Sequence, residues 1–108
     1  MVYTSVEDFY EKADRCCRLT RQEERECAEQ MKDGDQKTRE KLIQSYLPMA
    51  AEYIRCRQFH RQTLGLVLYC VQALEKAVDS FDFLQDSESF SHRLYWWLRQ
   101  ATTEYIVR

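Results

Sequence analysis

Glycine and proline are nearly absent from this chain, whose 108 residues include 2 Gly and 1 Pro. An average protein contains about 12% of the two combined. β-Sandwiches and barrels use these residues at their many tight turns, so the composition predicts an all-α protein. A chain of this length buries about two thirds of its unfolded surface, which is enough for one core. We therefore expect residues 1–108 to form a single domain, a compact bundle of five to six helices.

Capping signals divide the first half of the chain. Apolar residues spaced three and four apart predict a first helix that ends near residue 19 and a second helix over about residues 21–32. Each predicted helix follows a residue suited to N-capping, and the second opens with a capping box. A glycine follows the second helix and suits its C-cap. The residues that mark these boundaries are Ser5, Leu19, Thr20, Glu23, Gly34 and Asp35.

The second half of the chain is divided by one proline and by polar stretches. Pro48 lacks the amide hydrogen that a helix interior uses. We therefore predict a break at residues 45–47 and a new helix from Pro48 through Met49, Tyr53 and Ile54. A basic loop is expected next, then a helix from about Thr63 to Ser80, a loop over residues 85–89, and a last helix from about Ser91. The expected basic loop contains Arg55, Arg57, His60 and Arg61.

The helix predicted over residues 63–80 is apolar on nearly every side. Such a helix is either fully buried or presents a second apolar face to a partner. A bundle of this size has little room for the first arrangement. The pattern therefore predicts an exposed apolar strip that includes Leu64, Leu68 and Tyr69.

Charge and motif content exclude several function classes. The net charge is −2, so the chain is not a strongly basic nucleic-acid-binding domain, and any DNA contact must be local. No apolar run is long enough to span a membrane, and residues 1–8 lack the pattern of a signal peptide. We expect a cytoplasmic protein that does not bind membranes.

No catalytic or metal-binding pattern is present. The five cysteines form no CxxC pair and suit reduced thiols that pack as small hydrophobes. His60 and His92 lack a catalytic partner at a recognisable spacing, and no nucleotide-binding or zinc-protease motif occurs. We predict no enzyme activity, no metal site and no cofactor.

Two adjacent tryptophans mark the last helix. Trp96 and Trp97 point about 100° apart on a helix, so both cannot face one core. A Trp that packs in the core and an exposed Trp that stacks unpaired bases are about equally supported by the residues alone. Arg93 and Arg99 lie close enough in sequence to meet phosphates beside such bases.

The order of motifs resembles domain 2 of the sigma-70 family of bacterial transcription initiation factors. The likeness covers about residues 19–108. It is carried by LTRQEE at 19–24, MKDGDQKTREKLIQSYLP at 31–48, LEKAVDSFD at 74–82, FS at 90–91 and WWLRQATT at 96–103.

The resemblance implies a helical domain that docks on the clamp helices of the largest RNA polymerase subunit and captures the unwound minus-ten promoter strand. Phe90, Trp96 and Trp97 match the aromatic positions associated with promoter melting. Gln100 and Thr103 match positions that face the upstream base pair of that element. These five residues, together with the two arginines that flank the tryptophans in sequence, Arg93 and Arg99, are called here the predicted DNA set.

The chain departs from the family pattern where the family binds polymerase. The family usually has an acidic and amide-bearing DLIQEG run there, and this chain has GLVLYC at 65–70. The ion pairs that the family usually forms with the polymerase clamp therefore cannot form in this chain. The positions predicted to meet polymerase or another partner, called here the partner face, are Leu64, Gly65, Leu68, Tyr69 and Gln72. Arg93 replaces a usual aromatic residue, and Glu104 replaces a usual basic one.

Three interpretations follow from these observations. The favoured one is a sigma-like subunit that binds core polymerase and promoter DNA. The sequence ends inside the predicted minus-ten helix, and this interpretation leaves room for a second protein that supplies the missing minus-thirty-five domain. The second is a protein-interaction module that keeps the fold, has lost DNA binding, and uses the partner face for a partner or for self-association. The third is a stable helical domain whose tryptophans only pack.

Overall fold

Five helices build the part of the chain that the computed structural model describes, which is residues 3–56, 63–81 and 90–107. The helices are α1 (Val6–Asp14), α2 (Arg21–Lys32), α3 (Gln36–Cys56), α4 (Leu64–Ser80) and α5 (Phe90–Val107). They form an all-α bundle, as the scarcity of glycine and proline predicted. α4 packs on α5 and on α3, while α1 and α2 pack on α3.

The capping signals lie where the sequence predicted them. Ser5 Oγ accepts a hydrogen bond from the Asp8 amide at 3.0 Å. Thr20 and Glu23 form a reciprocal capping box, in which the Thr20 hydroxyl accepts from the Glu23 amide at 3.2 Å and the Glu23 carboxylate accepts from the Thr20 amide at 3.0 Å. These bonds satisfy donors that a helix start leaves without a partner.

The turn between α2 and α3 also follows the predicted chemistry. Gly34 adopts φ +85°, a left-handed conformation that a residue with a Cβ rarely takes. Asp35 then accepts hydrogen bonds from the amides of Lys37 at 3.0 Å and Thr38 at 3.3 Å. These two bonds, together with one from the Thr38 hydroxyl, hold the pKa of Asp35 below its ordinary value.

The first helix is shorter than predicted. α1 ends at Asp14 rather than near Leu19. The amides of Arg15 and Cys16 bond three residues back, to the carbonyls of Lys12 and Ala13, which tightens and closes the last turn. Leu19 still packs against the core, so the apolar spacing correctly marked a buried residue but overextended the helix.

The predicted break at Pro48 is wrong, because α3 runs without interruption from Gln36 to Cys56. Pro48 leaves the Gln44 carbonyl without its helical donor. Burial on both sides holds the helix together: Leu47 is 1% exposed and Ala51 is fully buried. The buried Ser45 hydroxyl donates to the Leu42 carbonyl at 2.7 Å. Packing of the helix in the core therefore overrides the local preference of proline.

The expected basic loop is corrected at one position. Arg55 belongs to α3, where its guanidinium pairs with the Asp14 carboxylate at 3.0 and 3.2 Å and lies 4.3 Å from the centre of the Tyr10 ring. The other members of that loop, Arg57, His60 and Arg61, lie outside the described residues. So does the loop predicted over residues 85–89.

The apolar helix α4 lies mostly inside the bundle. Thr63 caps it, and its hydroxyl accepts from the Leu66 amide at 3.2 Å. Packing against α3 and α5 buries most of the apolar surface of α4, including much of what the sequence predicted to be exposed. Leu68, which is 43% exposed, is the large apolar side chain of α4 that stays open. The buried residues of α4 are Leu66, Val67, Cys70, Val71, Ala73, Leu74, Ala77 and Val78.

Replacement of the helical proline tests the account of α3. We expect Pro48→Ala to raise the free energy of unfolding by about 2 kcal/mol, because alanine restores a donor for the Gln44 carbonyl. Urea unfolding followed by circular dichroism measures this change. Lys41→Ala, at an exposed site of the same helix, is the control and should change little. A loss of stability in Pro48→Ala would contradict the account.

Candidate nucleic-acid and partner interface

The inner face of α5 fixes which of its residues point outward. Leu94 and Leu98 are fully buried, and Ala101 is 7% exposed. These residues recur at helical spacing and pack α5 on the rest of the core. The opposite side of the helix is therefore turned to solvent.

Four members of the predicted DNA set share this outward side of α5. On an ideal helix Gln100 and Thr103 lie within about 40° of the direction of Trp96, and Arg99 lies about 60° away. All four side chains are exposed, and Trp96 has 52% of its surface open. We call these four residues, Trp96, Arg99, Gln100 and Thr103, the α5 stripe.

The two tryptophans have different surroundings. Trp97 is half-buried and packs against the core, whereas Trp96 lies outside it. Their rings meet edge to face, with centroids 5.3 Å apart and planes at 89°. The Trp97 ring therefore supports the Trp96 ring, about half of whose surface remains open to solvent.

Trp97 also lines a small groove between α4 and α5. Its Nε1 atom is buried and has no hydrogen-bond partner within the described residues. A buried donor without an acceptor costs about 1–3 kcal/mol. The groove has a volume of about 90 Å³, and polar side chains line much of it. They include Gln72, Lys76, Gln100 and Glu104.

The hydroxyl groups at the end of the α5 stripe are engaged by the helix itself. Thr103 Oγ1 donates to the Arg99 carbonyl at 2.8 Å, and the buried Thr102 hydroxyl donates to the same carbonyl at 3.0 Å. The exposed Thr103 oxygen can still accept a hydrogen bond. The Gln100 amide offers both donors and an acceptor to a base edge.

Besides Trp97, two members of the predicted DNA set lie away from the stripe. Phe90 is 4% exposed, and its ring packs against Tyr46 with a centroid distance of 4.5 Å and against Phe81 at 5.2 Å. In this structure Phe90 is a core residue at the start of α5. Arg93 is half-buried one turn before Trp97.

A network of side chains that sequence reasoning missed holds the start of α5. The Arg18 guanidinium donates to the Ser91 hydroxyl at 3.1 Å and lies 5.9 Å from the centre of the Tyr46 ring. The Tyr46 hydroxyl donates to the Glu24 carboxylate. Burial and this bond raise the pKa of Tyr46 above its ordinary value. The network connects α2, α3 and α5 and so orients the helix that carries the stripe.

Tyr95 adds a second exposed aromatic residue that the predicted set omitted. It is 43% exposed, and its ring packs edge to face on Tyr53 with centroids 5.2 Å apart. With Met49, Glu52 and Cys56 these rings line an open groove of about 290 Å³ between α3 and α5. The sequence feature that could have identified Tyr95 is its position next to the two tryptophans, in the run Tyr95-Trp96-Trp97.

The partner face on α4 is only partly open. Leu68 and Gln72 are exposed, whereas Leu64, Gly65 and Tyr69 are half-buried. The cover comes from Tyr105 of α5, which the predicted site did not include. A Cβ atom on Gly65 would lie 3.0 Å from the Tyr105 hydroxyl oxygen and 3.1 Å from its ring. A larger residue at position 65 would require the Tyr105 ring to shift by a few tenths of an ångström.

The described residues hold no cluster of side chains suited to a metal ion. Burial raises the pKa of the Cys70 thiol to about 12, so this thiol stays protonated and packs as a small hydrophobe. Across residues 3–56, 63–81 and 90–107, no three His, Cys, Asp or Glu side chains come together to hold a metal ion. None of the helices in those ranges has the length and apolar character to cross a membrane.

No protein-family model matches the chain. The likeness to the sigma-70 family therefore stays a resemblance of ordered motifs.

The different burial of the two tryptophans gives a direct test of the site. We expect Trp96→Ala to leave the free energy of unfolding within about 1 kcal/mol of the wild type, because the ring lies largely outside the core. Trp97→Ala removes a packed ring and should cost about 3 kcal/mol. Urea unfolding of both variants measures the difference. Equal losses would show that the two rings pack alike, which would contradict the geometry above.

Proposed function

We propose that this chain is a sigma-like transcription initiation protein that docks on core RNA polymerase and contacts the unwound minus-ten promoter strand. The α5 stripe is the observation that carries the proposal. An exposed Trp ring, a guanidinium and an amide lie side by side on a helix that the core holds rigidly.

The chemistry of the α5 stripe suits an unpaired strand. A base stacked on an aromatic side chain gains about 1–3 kcal/mol, and stacking requires that the base has left its pair. Trp96 offers the open ring, Arg99 can meet a phosphate, and Gln100 and Thr103 can bond a base edge. This combination favours captured single strands over intact duplex.

Charge supports a role that depends on polymerase. Phosphate neutralisation provides most of the sequence-independent affinity for DNA, and this chain has a net charge of −2. We therefore expect weak DNA binding by the free protein. Docking on the polymerase clamp helices would place the stripe next to DNA that polymerase already holds. Such a protein acts in the bacterial cytoplasm.

The partner face is the proposed docking surface for polymerase. Its polar family motif is replaced by Gly65-Leu-Val-Leu-Tyr-Cys70, and Leu68 is exposed in the middle of this run. Apolar burial then takes the place of the ion pairs that the family uses, and burial of one Leu side chain contributes about 1.5–3 kcal/mol.

The exposure of Leu68 also favours a second candidate function. A module that has lost DNA binding could use the same side chain for another protein or a second copy of this chain. Association through apolar burial changes little with salt, whereas phosphate binding weakens steeply. Replacement of the α5 stripe would leave the activity of such a module unaffected.

A pull-down with purified bacterial core RNA polymerase tests the proposal. We expect the wild type to retain polymerase in moderate salt and Leu68→Asp to lose at least tenfold, because a carboxylate would be buried against the clamp helices. Gln22→Asp, an exposed change of equal charge on α2, is the matched control. A wild-type chain that retains no polymerase would contradict the proposed function and leave the second candidate.

A further inference from the structure

The last turn of α5 is fastened to the first turn of α4 by one side chain. The hydroxyl oxygens of Tyr105 and Thr63 are 2.5 Å apart, in a hydrogen bond that joins residues 42 positions apart in sequence. The Tyr105 ring lies over Gly65 and meets the Tyr69 ring edge to face, with centroids 5.4 Å apart.

This contact covers part of the partner face. Gly65 and Tyr69 lie beneath the Tyr105 ring, while Leu68 stays exposed beside it. A helix that packs on α4 comes within about 8–10 Å, axis to axis. A clamp helix laid over Gly65 at that distance would need the space that the Tyr105 ring occupies.

We propose that Tyr105 is an autoinhibitory latch, which closes the partner face in the free chain and is displaced when polymerase docks. This inference rests on the docking role proposed above for α4. With the latch open, Gly65 leaves a notch without a side chain next to Leu68 and Tyr69. The partner that fits this surface is an α-helix with an apolar side chain that fills the notch.

The position of Tyr105 in α5 allows the latch to open without unfolding the bundle. The next two residues, Ile106 and Val107, are 64% and 79% exposed. The apolar anchors Leu94, Leu98 and Ala101 precede Tyr105 by at least one turn, and the buried Thr102 lies three residues before it. Opening moves the half-buried Tyr105 ring off the core, while Leu94, Leu98 and Ala101 stay buried and keep α5 packed.

A closed latch lowers the apparent affinity for a partner by the fraction of molecules that are open. This gives the latch a signature opposite to that of a contact residue. A residue that touches polymerase weakens binding when it is removed. A residue that blocks docking strengthens binding when it is removed.

Titration of core RNA polymerase with the chain labelled at its amino terminus, followed by fluorescence anisotropy, tests the latch. Tyr105→Phe keeps the ring and loses the hydrogen bond to Thr63, and should bind roughly two- to tenfold more tightly than the wild type. Tyr105→Ala also removes the ring over Gly65 and should bind more tightly still. Ile106→Ala, an exposed change in the same turn, is the control with unchanged affinity.

The outcomes separate the latch from the docking role. Wild-type binding with equal or weaker binding by Tyr105→Phe would overturn the latch and leave polymerase docking in place. Absence of binding by the wild type and both variants would overturn docking and the latch together. Because phenylalanine still fills the space over Gly65, the test stands even where Tyr105→Ala fails to fold.

Discussion

The packing of α5 against α4 is the contact on which the proposed activity depends. Leu94, Leu98 and Ala101 fix the rotation of α5, and one buried face determines which residues look outward on a helix with 3.6 residues per turn. Rotation by a single residue in one direction would carry Trp96 to the half-buried position of Trp97 and turn part of the core outward. The same packing that stabilises the bundle therefore sets which side chains form the proposed DNA-binding surface.

Aromatic side chains hold both ends of this helix pair. At the start of α5, Phe90 packs between Tyr46 and Phe81. At its end, Tyr105 lies over Gly65 and bonds Thr63. Aromatic pairs of this kind contribute about 0.5–1.5 kcal/mol beyond the surface they bury. The proposed DNA stripe lies between these two aromatic contacts, and the proposed docking surface lies under the second of them.

Local signals in the sequence predicted local structure well. The capping box of α2 and the turn at Gly34 depend on neighbouring residues, and they were readable for that reason. The break at Pro48 was predicted wrongly because burial from other helices decides the path of α3. Phe90 packs on Tyr46, and Tyr105 bonds Thr63. Each contact joins residues at least 42 positions apart, so the local spacing of apolar residues cannot reveal it. The different exposure of the two tryptophans followed from helix geometry.

The central claim is that Trp96 meets an unpaired promoter strand once polymerase is bound. The most direct measurement is the affinity of the chain and core polymerase together for a DNA duplex whose minus-ten strand is unpaired. Trp96→Ala should weaken this affinity by about 1–3 kcal/mol, roughly 5- to 160-fold, and Trp96→Phe should lose less because it keeps a stacking ring. Polymerase binding itself should not change. Equal DNA affinity for the wild type and Trp96→Ala would contradict the account.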